Sequence, residues 1–247
     1  MKVVDCYWEK RNLGCNVAEV SVESTDHFDI KDFEDFSFYD YVVVKVPANK
    51  MDFNFGLSQL GYSMIELQME MQVKIKDFNY DHKILRLISD NVDFQQIKTE
   101  DELNDILSKL TTDMFTTDRI HIDPYFGPEL SRIRYVNWLK DEFERNSSVI
   151  LKIFYMGMNV GFSMFRGESN IRGLLGGIFA EYQSLGLGAL TTCSLPLYIK
   201  KKNLNVKRIL GDISSNNIPV WVLYEFFGYR AFNPRYVFVK HNHITNK

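Results

Sequence analysis

The sequence predicts an α/β (α+β) protein with a mixed central sheet flanked by helices, and three observations carry that expectation. Runs with the two-residue alternation of a strand trade places along the chain with runs of helical spacing. Glycines and prolines punctuate the junctions between them. At 45% hydrophobic and 25% charged residues, the 247-residue chain has enough apolar side chains for a sizeable core.

Taken in order, residues 15–22 (CNVAEVSV) alternate as a strand, and the acidic, phenylalanine-bearing segment 23–41 reads as a solvated helix or loop. Residues 41–48 (YVVVKVPA) form a β-branched run of buried-strand length. A helix follows, stopped at Gly61, and then an alternating strand over 63–75. Residues 77–98 are mixed, a strand or an irregular connection. Residues 99–115 open with a capping box, Thr99 with Glu102, and carry Leu103, Ile106, Leu107 and Leu110 at amphipathic spacing. After a loop containing DRIHIDPYFGP comes a second helix over 129–145. Strands at 148–156 and 160–167 form a hairpin about Gly157, and a third strand covers 170–180. The stretch EYQSLGLGAL leads into a helix over 188–202 with an irregularity at Pro196, then a strand at 206–213. An Asn- or Ser-capped helix with Pro219 in its first turn ends at Gly228. Residues 231–241 close the chain as a strand pair or a single strand, before a frayed tail.

A formal net charge of −3 gives no reason to expect nucleic acid as the main partner. Three cysteines without CxxC spacing argue against a disulfide framework and a zinc site, so no metal is expected. No apolar stretch is long enough for a membrane span, and the first residues lack the apolar core of a signal peptide, so a cytoplasmic protein is expected.

Two segments share a layout. Residues 42–62 and 208–229 each run strand, Asn, helix, apolar-Gly-Tyr, with Asn49 and Asn216 each twelve residues before their glycine. Duplication and generic strand–helix grammar both account for this. Four residues before the glycine, the first segment has Leu57 and the second Tyr224, so only the second is a candidate for proton chemistry.

The most specific feature is an order of motifs: a strand, Gln-x-x-Gly-x-Gly at the mouth of a helix, another strand, then Asn217 and, seven residues on, Tyr224. IFAEYQSLGLGAL and NIPVWVLYEFFGYR resemble the acyl-CoA pyrophosphate loop and the late helix of the GNAT superfamily of acyl-CoA-dependent N-acyltransferases, over about residues 80–240. The chemistry suits the residue types. A helix start offers unpaired N–H groups and partial positive charge, and glycines allow a diphosphate to approach the backbone. The resemblance implies that Gln183, Ser184, Leu185, Gly186, Leu187, Gly188 and Ala189 hold the diphosphate of acetyl-CoA. It further implies that Ile178, Phe179 and Ala180 line the pantetheine arm, that Asn217 belongs to the cofactor site, and that Tyr224 is both cofactor-binding and the general acid for the departing thiolate. A backbone N–H of strand 174–179 would polarise the thioester carbonyl. The cations of YIKKKNLNVKR are either a solvated helix end or a seat for the CoA 3′-phosphate.

A narrower resemblance, to bacterial dTDP-fucosamine acetyltransferases and their relatives, rests on YWEKRNLGCNVAEV, LSQLGYSMIE and DRIHIDPYFGPELSRIRYVNWLKDEFE. It implies a smaller amino-terminal α/β domain of partly GNAT-like topology over 1–78, a GNAT domain over 79–247, and a nucleotide-activated amino-deoxysugar as acceptor. Leu13 and Ile120 stand where that group commonly has Phe. Arg119, His121, Asp123 and Tyr125 are the candidate acceptor-binding residues, Arg119 toward a phosphate. Asp212, His121, Glu181 or a water chain could serve as general base. Alternatives are an aminoglycoside, polyamine or protein amino-terminus as acceptor, or a non-catalytic acyl-CoA-binding module. A homodimer stays open.

Overall fold

The computed structural model describes residues 1–243, and the expected frayed tail lies outside the described residues. In chain order the elements are β1 (Lys2–Asp5), α1 (Glu9–Leu13), β2 (Val17–Ser21), β3 (Tyr41–Pro47), α2 (Met51–Gln59), β4 (Ser63–Lys74), α3 (Lys83–Ile88) and β5 (Val92–Gln96). Then follow α4 (Glu100–Ser108), α5 (Arg119–Ile122), α6 (Pro128–Glu144), β6 (Val149–Tyr155), β7 (Met158–Arg166) and β8 (Asn170–Ile178). The chain ends with α7 (Leu190–Lys201), β9 (Arg208–Ser214), α8 (Ile218–Phe226) and β10 (Arg230–His241).

All ten strands form one sheet, in the order β1-β2-β3-β10-β4-β9-β8-β7-β6-β5. Only β2–β3 and β8–β9 are parallel. The last strand lies between β3 and β4, so the hydrogen-bonded sheet is continuous across the boundary expected at residue 78. One face is covered by α2, α3, α7 and α8 over two apolar clusters, one around Phe53, Leu57 and Val44 and the other around Met71, Leu190 and Phe227. The other face carries α1, α5 and α6 at one end and α4 with α6 at the other.

Several local readings change. β1 and α1 had no expectation, and residues 77–98 hold α3 and β5. The segment read as a solvated helix or loop is a 3₁₀ helix over Ile30–Phe38. Its three-residue turn brings Phe33 and Phe36 onto one side, ring centroids 6.0 Å apart and tilted by 48°, and both are buried in the cluster around Phe53. The loop before α6 contains α5. Residues 231–241 form a single strand with β10, because a bulge between Phe232 and Arg235 accommodates Pro234, with Asn233 at φ 48°. The helix expected from 188 starts at Leu190, after two short 3₁₀ turns separated by Gly186.

The repeat is real in three dimensions and longer than the sequence match. β3–α2–β4 and β9–α8–β10 have elements of seven, nine and twelve residues each, and residue n of the first corresponds to n + 167 of the second. Gly61 and Gly228 both take the left-handed conformation, at φ 82° and 84°. Pairing follows the same relation: Pro47 pairs with Arg235, and Gln68 with Ser214. A pseudo-twofold axis therefore passes through the Gln68–Arg235 pair between β4 and β10.

The two halves differ beside this core. β2 stays paired along β3 for five residues, from Val17–Tyr41 to Ser21–Lys45. β8 leaves β9 after three, at Arg172–Leu210. Among the described residues, the sheet therefore opens earlier in the second half than in the first.

α6 illustrates how buried charge is held. Glu142 accepts from Trp138 Nε1 at 3.3 Å, Ser147 Oγ at 2.8 Å and Ser148 Oγ. Burial raises its pKa, but the hydrogen bonds from Ser148, Ser147 and Trp138 outweigh burial and hold the carboxyl below the ordinary carboxylate range. A depressed folded pKa contributes stability above the unfolded value of about 4.3, and that stability is lost as the pH falls through the folded value. Glu142→Gln should lower the free energy of unfolding by about 1–3 kcal/mol at pH 7. The difference from the parent should shrink below about pH 4. Urea denaturation at the two pH values measures both effects.

Candidate functional site

The gap between β8 and β9 organises the site. Beyond Arg172, β8 keeps β7 on one side and has no strand partner among the described residues on the other. Phe179 donates its N–H to Val160 O at 2.9 Å, toward β7. Antiparallel alternation then turns the backbone groups of Ile178 and Gly176 toward the gap. A register shift between Met164 and Phe165 leaves Leu174 as an extra residue, a bulge at the point where β8 departs. Gly173 and Gly211 face each other across the opening, and a Cβ on Gly211 would stand 3.9 Å from Gly173 O.

Tyr224 reaches this opening from α8. Its hydroxyl lies 3.3 Å from where a Gly211 Cβ would be, and its ring meets Tyr229 edge-on at 4.6 Å. Burial, and secondarily the charge of Asp212, pushes the phenol up to about 12. It therefore keeps its proton throughout the physiological range. Asn217, expected in the cofactor site, caps α8: its Oδ1 accepts from Val220 N–H at 3.4 Å. Its carboxamide oxygen is engaged in holding the helix that carries Tyr224.

The glycine loop follows β8 directly. Leu187 and Ala189 are buried and root it in the core, whereas Ser184, Leu185, Gly186 and Gly188 face outward. Gly186 takes the left-handed conformation at φ 71°, and no atom lies within 4 Å of a Cβ built on Gly186 or Gly188. The loop is thus open where a phosphate would approach the backbone. Gln183 Nε2 donates to Ile178 O at 3.4 Å. Ile178 and Phe179 turn their side chains into two different apolar clusters, so a ligand in the gap would meet their backbone, not the side chains expected to line the arm. Ala180 is exposed at the start of the loop. In the last turn of α7, Lys201 Nζ donates to Val92 O and Lys200 lies over the Tyr80 ring at 4.6 Å.

On the opposite face, the opening is bordered by charge. Arg172 donates to Glu70 Oε2 at 2.5 Å and Asp212 Oδ2 at 2.8 Å, bridging β8, β4 and β9. Burial lowers the guanidinium pKa, but Glu70 and Asp212 more than compensate and raise it. These residues border a cavity of about 240 Å³, whose further wall includes Lys45, Gln68 and Arg235. Lys45 pairs with Glu19 at 2.9 Å, and Arg119 Nη2 stands 3.8 Å from the other Glu19 oxygen.

The residues expected to bind the acceptor are not brought together. Arg119 is one ion pair behind the cavity wall, with Nε lacking a hydrogen-bond partner among the described residues. Burial lowers its pKa, and Tyr41, Glu19 and Glu66 together reverse that to a net rise. His121 Nδ1 is buried without a hydrogen-bond partner among the described residues. Asp123 accepts from Tyr125 N–H at 3.0 Å and meets His241 Nε2 at 3.0 Å, and the Tyr125 ring stacks on His241 at 4.0 Å. Both therefore fasten the α5–α6 turn to the end of β10. Of the three candidate bases, Asp212 borders the opening, whereas His121 lies in α5 and Glu181 is exposed on the glycine loop.

Glu70 and Arg172 were missed. The signal lay in SMIELQMEMQVK, where Glu66, Gln68, Glu70 and Gln72 share one face of β4. A polar stripe on a central strand marks a trough where a core should be.

No family model and no curated protein sequence matches the chain. Solved structures do. A functionally unknown conserved protein from Staphylococcus epidermidis matches at 13% identity and TM-score 0.58, over 92% of this chain and 84% of its own. A tandem GNAT protein from the clavulanic acid biosynthesis pathway matches at 10% identity and TM-score 0.57, over 93% and 76%. A GCN5-related N-acetyltransferase from Kribbella flavida matches at 13% identity and TM-score 0.54, over 91% and 81%. With its mixed sheet, parallel β8–β9 pair and duplicated strand–helix–strand core, the chain has the GNAT fold, the fold of GCN5-related N-acetyltransferases.

Proposed function

We propose that the chain is an acetyl-CoA-dependent N-acetyltransferase that acts on a primary amine, with Tyr224 as general acid. The observation that carries this reading is the opening at β8–β9, with Tyr224 on one face of the sheet and the Arg172–Glu70–Asp212 cluster on the other. Acetyl-CoA, when bound, supplies an activated acetyl group and a thiolate leaving group. The open loop at Gly186 and Gly188 fits its diphosphate, and the gap-facing backbone of Gly176 and Ile178 fits an extended amide-bearing arm.

The chain's own residues then have separate tasks. The backbone N–H groups near the Leu174 bulge donate to oxygen where negative charge develops. Tyr224, protonated at neutral pH, donates from its hydroxyl to sulfur. Asp212 or Glu70 takes the proton an ammonium must lose, directly or through water. Asn217 positions Tyr224 through α8. The nucleotide-activated amino-deoxysugar suggested by the amino-terminal motifs is the first acceptor to test, with aminoglycosides, polyamines and peptide amino-termini beside it.

A ligand that binds only the folded state raises its melting temperature, and at 100 times Kd the stabilisation is about 2.7 kcal/mol. Acetyl-CoA at millimolar concentration should therefore shift the thermal transition upward, and amines of this panel should release CoA. An unshifted transition would falsify the acyl-CoA reading. A shift with no release from any amine would favour the non-catalytic binding module.

A further inference from the structure

The cavity lies on the pseudo-twofold axis, with the Gln68–Arg235 pair in its wall. Lys45 and Asp212 occupy equivalent positions in the two halves, and so do Gln68 and Arg235. At both pairs the symmetry of the backbone is kept and the symmetry of charge is broken. Of the residues that line the cavity, the charged ones on the side of the first half, Lys45 and Arg235, are both cationic. On the side of the second half, Arg172 stands against Glu70 and Asp212, a net of −1. Glu19 is drawn into the positive end: burial raises its pKa, but Lys45 and Arg119 outweigh this and hold the carboxyl below its ordinary range. Arg235 has no ion-pair partner among the described residues, and it is half-buried in the cavity wall.

The wall is thus dipolar, with its negative end at the opening beside Tyr224 and its positive end two to three strands away. At about 4.8 Å per strand, the cationic pair stands roughly 5–10 Å across the sheet from Glu70 on β4 and roughly 10–14 Å from Asp212 on β9. We propose, resting on the acyltransferase reading above, that the acceptor is an amine carrying an anionic group at its far end. The ammonium lies at Asp212 and Glu70, and the carboxylate or phosphate lies at Arg235 and Lys45. Plain polyamines and neutral amines leave the positive end unmatched, and a dication is repelled there. The cavity's volume suits a compact amino acid or aminophosphate whole, or the amine-bearing end of a larger phosphorylated molecule such as a nucleotide-linked amino sugar.

The test uses the full chain with three sets of probes: ω-amino carboxylates of graded length, aminoalkyl phosphates together with a nucleotide-linked amino sugar, and matched alkylamines with spermidine. Calorimetry reads binding of each probe, and CoA release reads turnover. The acidic amines should exceed the matched neutral amines at least about tenfold in kcat/KM or affinity, since one bidentate charged contact is worth that much. Arg235→Ala should remove that preference by raising KM with little change in kcat, and Arg235→Glu should reverse it toward spermidine. Lower salt should widen the preference in the parent and not in Arg235→Ala. The carboxylate and phosphate arms distinguish the two sources of the anion. Equal or better use of neutral amines or spermidine by the parent overturns the inference, as does an unchanged KM for acidic amines in Arg235→Ala. Acetyl-CoA binding without measurable binding of any acidic amine also overturns it and leaves the acyl-CoA reading intact. Failure of acetyl-CoA itself to bind counts against that earlier reading instead.

Discussion

Replacing Tyr224 with phenylalanine should lower kcat by about 10²–10⁴-fold, the range for removing a positioned general acid. The affinity for acetyl-CoA should stay within about threefold, because the ring remains packed against Tyr229 and only the hydroxyl beside Gly211 is lost. Steady-state kinetics and calorimetry separate the two quantities. The pH profile adds a second check. With the phenol pushed up to about 12, its ionisation contributes no loss of activity below about pH 10, so any limb near neutrality belongs to the amine or its base. Unchanged turnover in the variant would reassign Tyr224 to packing.

Gly188→Val should weaken acetyl-CoA binding roughly 100-fold, about 2.8 kcal/mol, by blocking close approach of the diphosphate to the loop backbone. The free protein should be little affected, because Gly188 is exposed, its φ is not left-handed, and the first side-chain atom there meets no atom within 4 Å. That contrast makes the experiment informative. A variant with the parent's melting temperature and lost acetyl-CoA stabilisation places the diphosphate at Gly188. A variant that binds acetyl-CoA as the parent does removes the loop from the site. Gly186 is a poorer choice, since its left-handed backbone would make any side chain strain the free protein as well.

Much of the architecture was legible in the chain because its signals are local. The capping box at Thr99 and Glu102 forms as expected, with Glu102 N–H donating to Thr99 Oγ1 at 3.3 Å and Glu102 Oε2 accepting from Thr99 N–H at 3.1 Å. The alternation of residues 63–75 and the glycine stops at 61 and 228 are likewise properties of neighbouring residues. The short elements were illegible for a related reason. β1, α1 and α5 have four or five residues each, too few for a period to emerge, and their formation depends on packing against β2 and α6.

The site divides in the same way. The open glycine turn at 186–188 and the Asn217-capped helix of Tyr224 were readable because a glycine turn and a helix cap leave short patterns. Asp123 and Tyr125 looked like ligand contacts from their place in a polar loop, but His241, 118 residues away from Asp123, engages both. Glu70 and Arg172 are 102 residues apart and become partners only because β8, β9 and β4 are neighbours in the sheet.

The sequence alone determined that strands and helices alternate, that two segments share a strand–Asn–helix–Gly-Tyr layout, and that one carries a tyrosine where the other has leucine. Tertiary structure decided what those facts mean. Exchange of β4 and β10 between the halves brought the two copies into one sheet about a twofold axis. Early departure of β8 from β9 opened that sheet beside Tyr224 and nowhere near Leu57, which lies buried in its own apolar cluster. The physical reason is that hydrogen-bond registry between distant strands sets which side chains share a face, and registry is not a property of any single segment.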